Sequence, residues 1–293
     1  VLAAAAKNTK NAAVSTPPQT VIMNREHMGR FKGYSLTDGT YITSDVLSDV
    51  GGVRHGFTTR NGGVSEGQFE SLNLGINRGD NKDHVRKNYH IIAGLMGFDP
   101  DNIALTWQVH GDDVRVIERG GRIEDPVEAP CDALITNVPG IALFVFTADC
   151  VPILLYDPDS RCIGAVHAGW RGTANGILGK TVNMMAGKFG AKPESIRAAI
   201  GPSIGGCCFE VDSDVYEKLK VMYPDIDTVT RKEELKYYPD LKELNRSMLE
   251  RCGVRRENIS VVGLCTKCEH GMFWSHRRDG ERRGLQCGII VMT

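Results

Sequence analysis

The fold depends first on one predicted hairpin at residues 149–167, which read DCVPILLYDPDSRCIGAVH. Two apolar, β-branched runs flank residues 157–160, whose Asp, Pro and Ser content is typical of a turn between antiparallel strands. With those four residues as the loop, the register places Cys150 opposite His167. Directly opposed residues face the same side with Cβ atoms roughly 4.5–5.5 Å apart, which is close enough to share a metal ion. A one-residue slip would send them to opposite faces, so the register decides the site.

A further motif adds a second imidazole to this pair. His110 lies in Gln108-Val109-His110-Gly111 and must reach the hairpin by tertiary folding. One thiolate and two imidazoles are a natural ligand set for zinc, and three protein ligands leave the fourth position open, as in catalytic zinc sites. The sequence therefore predicts a metalloenzyme with zinc on His110, Cys150 and His167. The alternative for the same atoms is a Cys–His nucleophilic pair.

Arginine side chains near glycine-rich loops are candidates for anion binding. Arg60 follows a predicted strand and precedes two glycines, and Arg171 lies four residues beyond His167. Either guanidinium could hold phosphate. We interpret Arg282 and Arg283, in the basic run near the end of the chain, as solvated surface.

A second set of cysteines competes for a metal. Cys265 and Cys268 form a C-x-x-C pair whose spacing suits a structural zinc, but no second pair of that kind completes it. To complete tetrahedral coordination of a zinc ion, the pair would need ligands from distant parts of the chain. The alternative is that both residues are free thiols. Cys207 and Cys208 are adjacent, and adjacent residues seldom chelate one ion, so we interpret them as packing residues.

The composition is that of a soluble globular protein with a small-molecule substrate. Of the 293 residues, 41% are hydrophobic and 24% charged, and the net charge of −1 favours neither nucleic acid nor an anionic membrane. No apolar run approaches the roughly 20 residues of a membrane span. Nine scattered cysteines, an odd number, indicate a reducing compartment rather than a disulfide framework.

The chain divides into a short tail and one domain. Residues 1–30, almost without acidic groups, are predicted to be a disordered tail or the remnant of an organellar transit peptide, so the location is cytoplasmic or plastid. Residues 31–293 are predicted to form one domain. Helices are expected at about 82–96, 176–189, 213–222 and 241–252. Many strands follow one another without a helix between them, which favours mixed sheets.

Several ordered motifs resemble one known family. They include His55-Gly56-Phe57-Thr58-Thr59-Arg60, Leu72-Asn73-Leu74-Gly75, the three ligand motifs, Ile200-Gly201-Pro202-Ser203-Ile204 and Ser275-His276-Arg277-Arg278-Asp279-Gly280. From about residue 55 to 291 the chain resembles the YfiH/laccase-domain family, also described as polyphenol oxidase or multicopper oxidase-like. One departure lies near the end, where Arg283-Gly284-Leu285 replaces the usual Thr-Gly-Arg and puts an arginine there in doubt.

The resemblance implies a fold and a set of activities. The fold is α+β, layered α/β/β/α with mixed β-sheets, the YfiH-like fold that is shared with Cys–His hydrolase-like proteins. One zinc is implied on the residues matching His110, Cys150 and His167. The implied reactions are phosphorolysis of adenosine, inosine, guanosine or methylthioadenosine, and deamination of adenosine. Older descriptions give copper-dependent phenol oxidation, and bacterial members are linked to the editing of cell-wall precursors.

Physical chemistry helps to choose among these activities. A multicopper laccase needs a trinuclear cluster with many His ligands, and this chain has eight His, of which two are in the proposed site. Zinc has no redox chemistry but activates water and polarises oxygen, which suits nucleoside substrates. We therefore expect a zinc-dependent purine nucleoside phosphorylase with adenosine deaminase activity. The predicted catalytic or substrate-binding residues are Arg60, Asn73, Asp149 and Arg171. Asp149, beside the ligand Cys150, is expected to be an acid/base group or to orient that ligand.

Overall fold

The computed structural model describes residues 33–125 and 129–293, so the predicted tail at 1–30 lies outside the described residues. The strands are β1 (Tyr34–Thr37), β2 (Tyr41–Ser44), β3 (Val53–Thr58), β4 (Ile103–Ala104), β5 (Val114–Val116), β6 (Ala133–Thr136), β7 (Ala142–Thr147), β8 (Val151–Asp157), β9 (Cys162–Ala168), β10 (Arg197–Ile200), β11 (Thr230–Glu233), β12 (Lys236–Pro239), β13 (Ile259–Val261) and β14 (Gln286–Met292). The helices are α1 (Asp45–Ser48), α2 (Lys82–Met96), α3 (Trp170–Ala174), α4 (Ile177–Phe189), α5 (Ser213–Met222), α6 (Leu241–Arg251) and α7 (His276–Asp279). Short 3-10 helices lie at Gly67–Phe69, Ile226–Val229 and Arg256–Asn258.

Two six-stranded sheets carry the fold, and both are mixed. The first has the order β1-β2-β3-β14-β7-β4, and the second β13-β10-β8-β9-β6-β5. Most neighbouring strands are antiparallel, while the edge pairs β4–β7, β13–β10 and β5–β6 are parallel. Strands β11 and β12 form a separate hairpin. The expected mixed sheets are confirmed.

Alternation along the central strands builds four layers. In β7, Leu143 and Val145 pack between the two sheets, whereas Phe144 faces the opposite side and packs against α2. In β8, Leu154 lies between the sheets, whereas Ile153 faces the helices α4 and α6. Because successive side chains of a strand point to opposite faces, each sheet is apolar on both sides and each is covered by a second layer. The result is the predicted α/β/β/α arrangement.

Local signals set the ends of the main helices. The Asn81 side chain accepts a hydrogen bond from the Asp83 backbone N–H at 2.8 Å and caps α2. Gly97 follows the helix in the left-handed conformation, with φ of 71°, which glycine adopts without steric cost. Gly190 ends α4 in the same way. No helix in the described part of the chain has the length and apolarity of a membrane span.

The β8–β9 hairpin forms, but its predicted register is wrong. His167 lies opposite Pro152, and Asp157 opposite Cys162, so the loop is residues 158–161 rather than 157–160. Cys150 therefore precedes the ladder. The position opposite Cys150 in this register lies two residues further along the chain than predicted. Because side chains of a strand alternate with a period of two, Cys150 still faces the same side as His167.

Tertiary contacts of Asp157 explain the shifted loop. This carboxylate is fully buried and accepts hydrogen bonds from the hydroxyls of Ser160 at 2.7 Å and Ser195 at 2.6 Å. It also accepts the Lys192 backbone N–H at 3.2 Å. Asp157 is thereby held as the last residue of β8, and Arg161 closes the loop with φ of 49°.

Candidate metal centre

Three separate elements bring the predicted ligands together. His110 comes from the loop before β5, Cys150 immediately precedes β8, and His167 lies on β9. Their ligand atoms all lie within 4.8 Å of one another, and the two imidazole rings are 5.0 Å apart at an interplanar angle of 79°. An ion with bonds of roughly 2.0–2.3 Å requires ligands gathered this closely.

Gln108 attaches the His110 loop to the first sheet. Its side-chain amide donates to the Phe146 carbonyl at 2.7 Å and accepts from the Phe146 N–H at 2.7 Å, so it pairs with β7 as a backbone amide would. Strand β4 ends at Ala104, and beyond it this side-chain pairing takes the place of backbone hydrogen bonds to β7. His110 then adopts φ of 58°, a conformation that costs energy for a non-glycine residue and that functional sites commonly retain.

Asp132 joins the His110 loop to His167. Its carboxylate accepts backbone N–H groups from Val109 at 3.1 Å, His110 at 3.1 Å and Gly111 at 2.8 Å. The same carboxylate lies 2.7 Å from Nδ1 of His167, so the other ring nitrogen is the one that could bind a metal ion. Our sequence reasoning missed this residue. The one sign in the sequence was an acid directly before the apolar run of β6, and it gave no indication of the contact with His167.

The buried charges of the site support one another. Burial would raise the pKa of the Cys150 thiol, but the neighbouring His167 and His110 outweigh burial and lower it to about 6. Burial would lower the pKa of His167, but the Cys150 thiolate and the Asp132 carboxylate raise it to about 9. Burial likewise opposes ionisation of Asp132, and the hydrogen bond from His167 lowers its pKa on balance. These interactions favour a thiolate beside a protonated imidazole. A metal ion binds the thiolate directly and displaces the proton of the ring.

Gly169 provides the space in which the ligands meet. A Cβ at this position would lie 3.0 Å from His110 Cδ2 and 3.1 Å from Cys150 Sγ. Both contacts are tighter than van der Waals separation, so a side chain here would push on two of the three ligands. The glycine after the β9 strand is thus a packing requirement of the site.

All three ligands line one cavity of about 750 Å³. That volume is in the range of small-molecule sites, roughly 300–1,000 Å³. Trp107, which is 54% exposed, and Phe146 supply aromatic surface. Arg78 and Arg283 supply positive charge. The three ligands therefore open on a space that suits a polar aromatic molecule carrying or accompanied by an anion.

Arg283 is the arginine that the sequence interpretation misplaced. It was expected on the solvated surface, but its side chain is only 11% exposed and lines the cavity with Cys150 and His167. Its Nη1 donates to the Gly280 carbonyl at 2.8 Å, while its buried Nε has no protein partner. Burial lowers the pKa of this guanidinium. The departure at Arg283-Gly284-Leu285 thus still places an arginine in the cavity.

Asn73 and Asp149 are buried, and their side chains accept hydrogen bonds from groups around the site. The Asn73 side chain accepts the N–H groups of Gly75 at 2.9 Å and Leu285 at 3.0 Å, and both of these residues line the cavity. The Asp149 carboxylate accepts hydrogen bonds from the Thr266 hydroxyl at 2.6 Å, the Ser275 hydroxyl at 3.0 Å and the Arg277 N–H at 2.7 Å. Neither side chain is among the described residues that line the cavity.

Arg60 and Arg171 also lie outside that lining. Arg60 donates through Nε and Nη2 to the Glu70 carbonyl, at 3.0 and 2.9 Å, and packs over the Trp274 ring. Arg171 is exposed on α3 and stacks on its neighbour Trp170, 4.3 Å from the ring centroid. The structure therefore assigns both guanidinium groups protein contacts, and their predicted substrate contacts stay predictions.

The four remaining candidate cysteines also converge. Cys207 and Cys208 lie beside Cys265 and Cys268, and their sulfur atoms are all within 4.8 Å of one another. Cys208 packs against the core, as expected for a packing residue. The sulfurs of Cys207 and Cys208 nevertheless lie where they could complete the coordination that the C-x-x-C pair lacked.

The sequence profile of the family described as multi-copper polyphenol oxidoreductase laccase matches residues 54–293. The chain belongs to this family. The purine nucleoside phosphorylase YlmD of Bacillus subtilis is 38% identical over 243 residues, which is 81% of this chain and 87% of that protein. A purine nucleoside phosphorylase of Bacteroides thetaiotaomicron is 36% identical over 262 residues, 87% of this chain and 97% of that protein.

A solved structure shows that the fold is also that of the family. The crystal structure of the YfiH protein of Bacillus licheniformis superposes with a TM-score of 0.84 at 35% identity. The match covers 90% of this chain and 100% of that chain. Both the predicted family and the predicted fold are confirmed.

Proposed function

We propose that this chain is a zinc-dependent purine nucleoside phosphorylase that also deaminates adenosine. The observation that carries the proposal is the convergence of His110, Cys150 and His167 at one cavity, in a chain whose relatives of similar length are named purine nucleoside phosphorylases. The substrates in this proposal are adenosine, inosine, guanosine or methylthioadenosine, together with phosphate.

The donor set fits zinc better than a copper cluster. A thiolate and two imidazoles with a fourth side open to the cavity match the ligand pattern of catalytic zinc. Two of the eight His of the chain contribute to this candidate site. The other group of potential ligands in the part of the chain that the structure describes consists of cysteines alone. A trinuclear copper cluster requires many more imidazoles. When bound, zinc would polarise a substrate oxygen as a Lewis acid.

The cavity residues have distinct roles in the proposed reaction. The Trp107 ring offers a face on which a purine base can stack. Arg283, buried beside Cys150 with an unpartnered Nε, would hold phosphate through charge-assisted hydrogen bonds. Asn73 would fix the backbone of the wall at Gly75 and Leu285, and its predicted contact with the substrate stays a prediction.

Phosphorolysis and deamination differ in the nucleophile and the carbon attacked. In phosphorolysis a phosphate oxygen bonds to ribose C1′, the glycosidic C–N bond breaks, and its electron pair leaves with the base, which takes up a proton. In deamination water adds at purine C6 and ammonia leaves. The same base-binding face would serve both reactions, with the nucleoside shifted relative to the three ligands.

The test is conversion of adenosine by zinc-replete protein, followed by chromatography with and without phosphate. We expect adenine and ribose 1-phosphate when phosphate is present and inosine when it is absent. Cys150→Ser should lose both activities, whereas Cys252→Ser, a half-buried thiol outside both ligand groups, should keep them. Arg283→Ala should raise the KM for phosphate about 10-fold or more, as expected for a lost charged hydrogen bond, and exposed Arg282→Ala should not. Absence of nucleoside turnover, or turnover unchanged in Cys150→Ser, would reject the proposal.

A further inference from the structure

Four thiols form a compact group outside the catalytic cavity. Cys207 and Cys208 come from the loop after β10, and Cys265 and Cys268 from the loop after β13. The Cys268 sulfur lies 3.8 Å from that of Cys207 and 3.5 Å from that of Cys208. We define these four residues as the cysteine cluster.

Backbone pairing between the two loops aims the sulfurs at one point. The loops run parallel where Ser203 bridges Cys265, and the Thr266 N–H donates to the Ser203 carbonyl at 3.0 Å. Each loop then turns tightly, with the Cys208 N–H donating to the Gly205 carbonyl and the Cys268 N–H to the Cys265 carbonyl. The sulfurs at the two turns therefore face each other across the gap between the loops.

Gly205 donates a hydrogen bond to the cysteine cluster, and because it has no side chain it leaves room for the sulfurs. Its backbone N–H donates to the Cys265 sulfur at 3.3 Å, a contact that favours a thiolate. A Cβ on Gly205 would lie 3.3 Å from the Cys207 sulfur and 3.5 Å from Cys265 Cβ. A larger residue would therefore crowd the same sulfurs that the two turns bring together.

We propose that the cysteine cluster binds a second zinc ion, a structural one. A tetrahedral site with Zn–S bonds of about 2.3 Å has sulfurs about 3.8 Å apart. The sulfur separations of 3.8 and 3.5 Å agree with this value. They are far longer than the roughly 2.05 Å of a disulfide bond. The Cys265-x-x-Cys268 spacing is one that zinc commonly uses, and four thiolates close the coordination shell without an open position.

This ion would stabilise the position of Cys150 from a distance. Both cluster loops hold Asp149, the residue before Cys150: the Ile204 N–H donates to the Asp149 carbonyl at 2.9 Å, and the Thr266 hydroxyl to its carboxylate at 2.6 Å. Asp149 itself has φ of 98°, a conformation that must be held by its surroundings. Zinc in the cysteine cluster thus fixes the two loops that hold the start of β8.

Zinc per chain, measured by elemental analysis after gel filtration, tests the second site. We expect two equivalents in the wild type and in Cys252→Ser, the matched control. We expect one equivalent in Cys268→Ser, because that exposed ligand is removed, and one in Cys150→Ser, because the cluster keeps its ion. No nucleoside assay enters this test, so it can fail while the proposed function stands, or hold while that function fails.

Cobalt substitution identifies the ligands even where Cys268→Ser fails to fold. In the Cys150→Ser protein, which retains all four cluster thiols, bound cobalt should show the intense sulfur-to-metal charge-transfer absorption of a tetrathiolate site. A Cys150→Ser protein that binds neither zinc nor cobalt would overturn the proposal. So would a Cys268→Ser protein with undiminished zinc, or alkylation mass spectrometry in which zinc fails to protect the cluster cysteines of the reduced protein from modification.

Discussion

Asp132 receives hydrogen bonds from two different parts of the candidate metal centre. Three successive backbone N–H groups of the His110 loop and the imidazole of His167 all reach one fully buried carboxylate. One side chain thus fixes both the path of the loop and the orientation of a ligand ring. Carboxylates that hold a metal-binding His in this way raise its basicity and its affinity for the ion.

Asp132→Asn should weaken zinc binding by about 10–100-fold, because an amide holds the His167 imidazole without a charge and offers one oxygen fewer to the loop. Competition for zinc against a chelator of known affinity measures the change. Asp157→Asn is the matched control, since Asp157 is as buried as Asp132 and is also hydrogen bonded. It lies at the end of β8 that is far from the metal centre, about 20 Å along the strand from Cys150. If both variants lose zinc equally, the effect is one of general stability and the role given to Asp132 is wrong.

The first sheet contains a buried His that should make stability depend on pH. His55 lies on β3 and is 5% exposed, and its Nε2 accepts the Ser44 N–H at 2.8 Å across to the end of β2. Burial lowers the pKa of His55 from 6.5 to about 4. Between these pH values the unfolded chain binds a proton that the folded chain does not. Falling pH therefore favours unfolding in this window, and the effect is absent above pH 6.5.

Removing this His should flatten the pH dependence of stability. At pH 5 the loss of free energy of unfolding due to His55, relative to its value well above pH 6.5, is about 2 kcal/mol. Urea unfolding at pH 7.5 and pH 5 should therefore show a pH-dependent change that is smaller by about that amount in His55→Gln than in the wild type. His90→Gln, on the exposed face of α2, should retain the wild-type change. Equal pH dependence in all three proteins would show that His55 titrates normally in the folded state.

Elements with local signals were the most predictable. Helix α2 runs from Lys82 to Met96 as expected, because an Asn cap and a left-handed Gly mark its ends in the sequence itself. Hairpin β8–β9 was predicted as an element but in the wrong register, because the contacts of Asp157 with Ser195 and Lys192 come from residues far along the chain. Local sequence indicates which strands pair, and distant side chains then decide the register.

Side chains whose roles arise from tertiary contacts could not be predicted. The grouping of His110, Cys150 and His167 was predicted because their motifs are distinctive, and the structure brings the three side chains together. Asp132 and Arg283 have no such motif, and their surroundings come from several elements at once. The adjacency of Cys207 and Cys208 argued against a shared ion, yet a tight turn brings both sulfurs to the same place. Whether a role could be predicted depended on where each side chain is buried and which way it points, rather than on its residue type.

In the whole molecule, the four layers bring His110, Cys150 and His167 together. We infer that these three residues bind a single zinc ion whose open coordination position faces the cavity. Anomalous diffraction from zinc-grown crystals, recorded on both sides of the zinc absorption edge, tests this claim directly. We predict a zinc peak bonded to all three side chains, with its bonds roughly 2.0–2.3 Å long. Crystals of protein that turns over nucleosides, but with no zinc peak at these three residues, would contradict it.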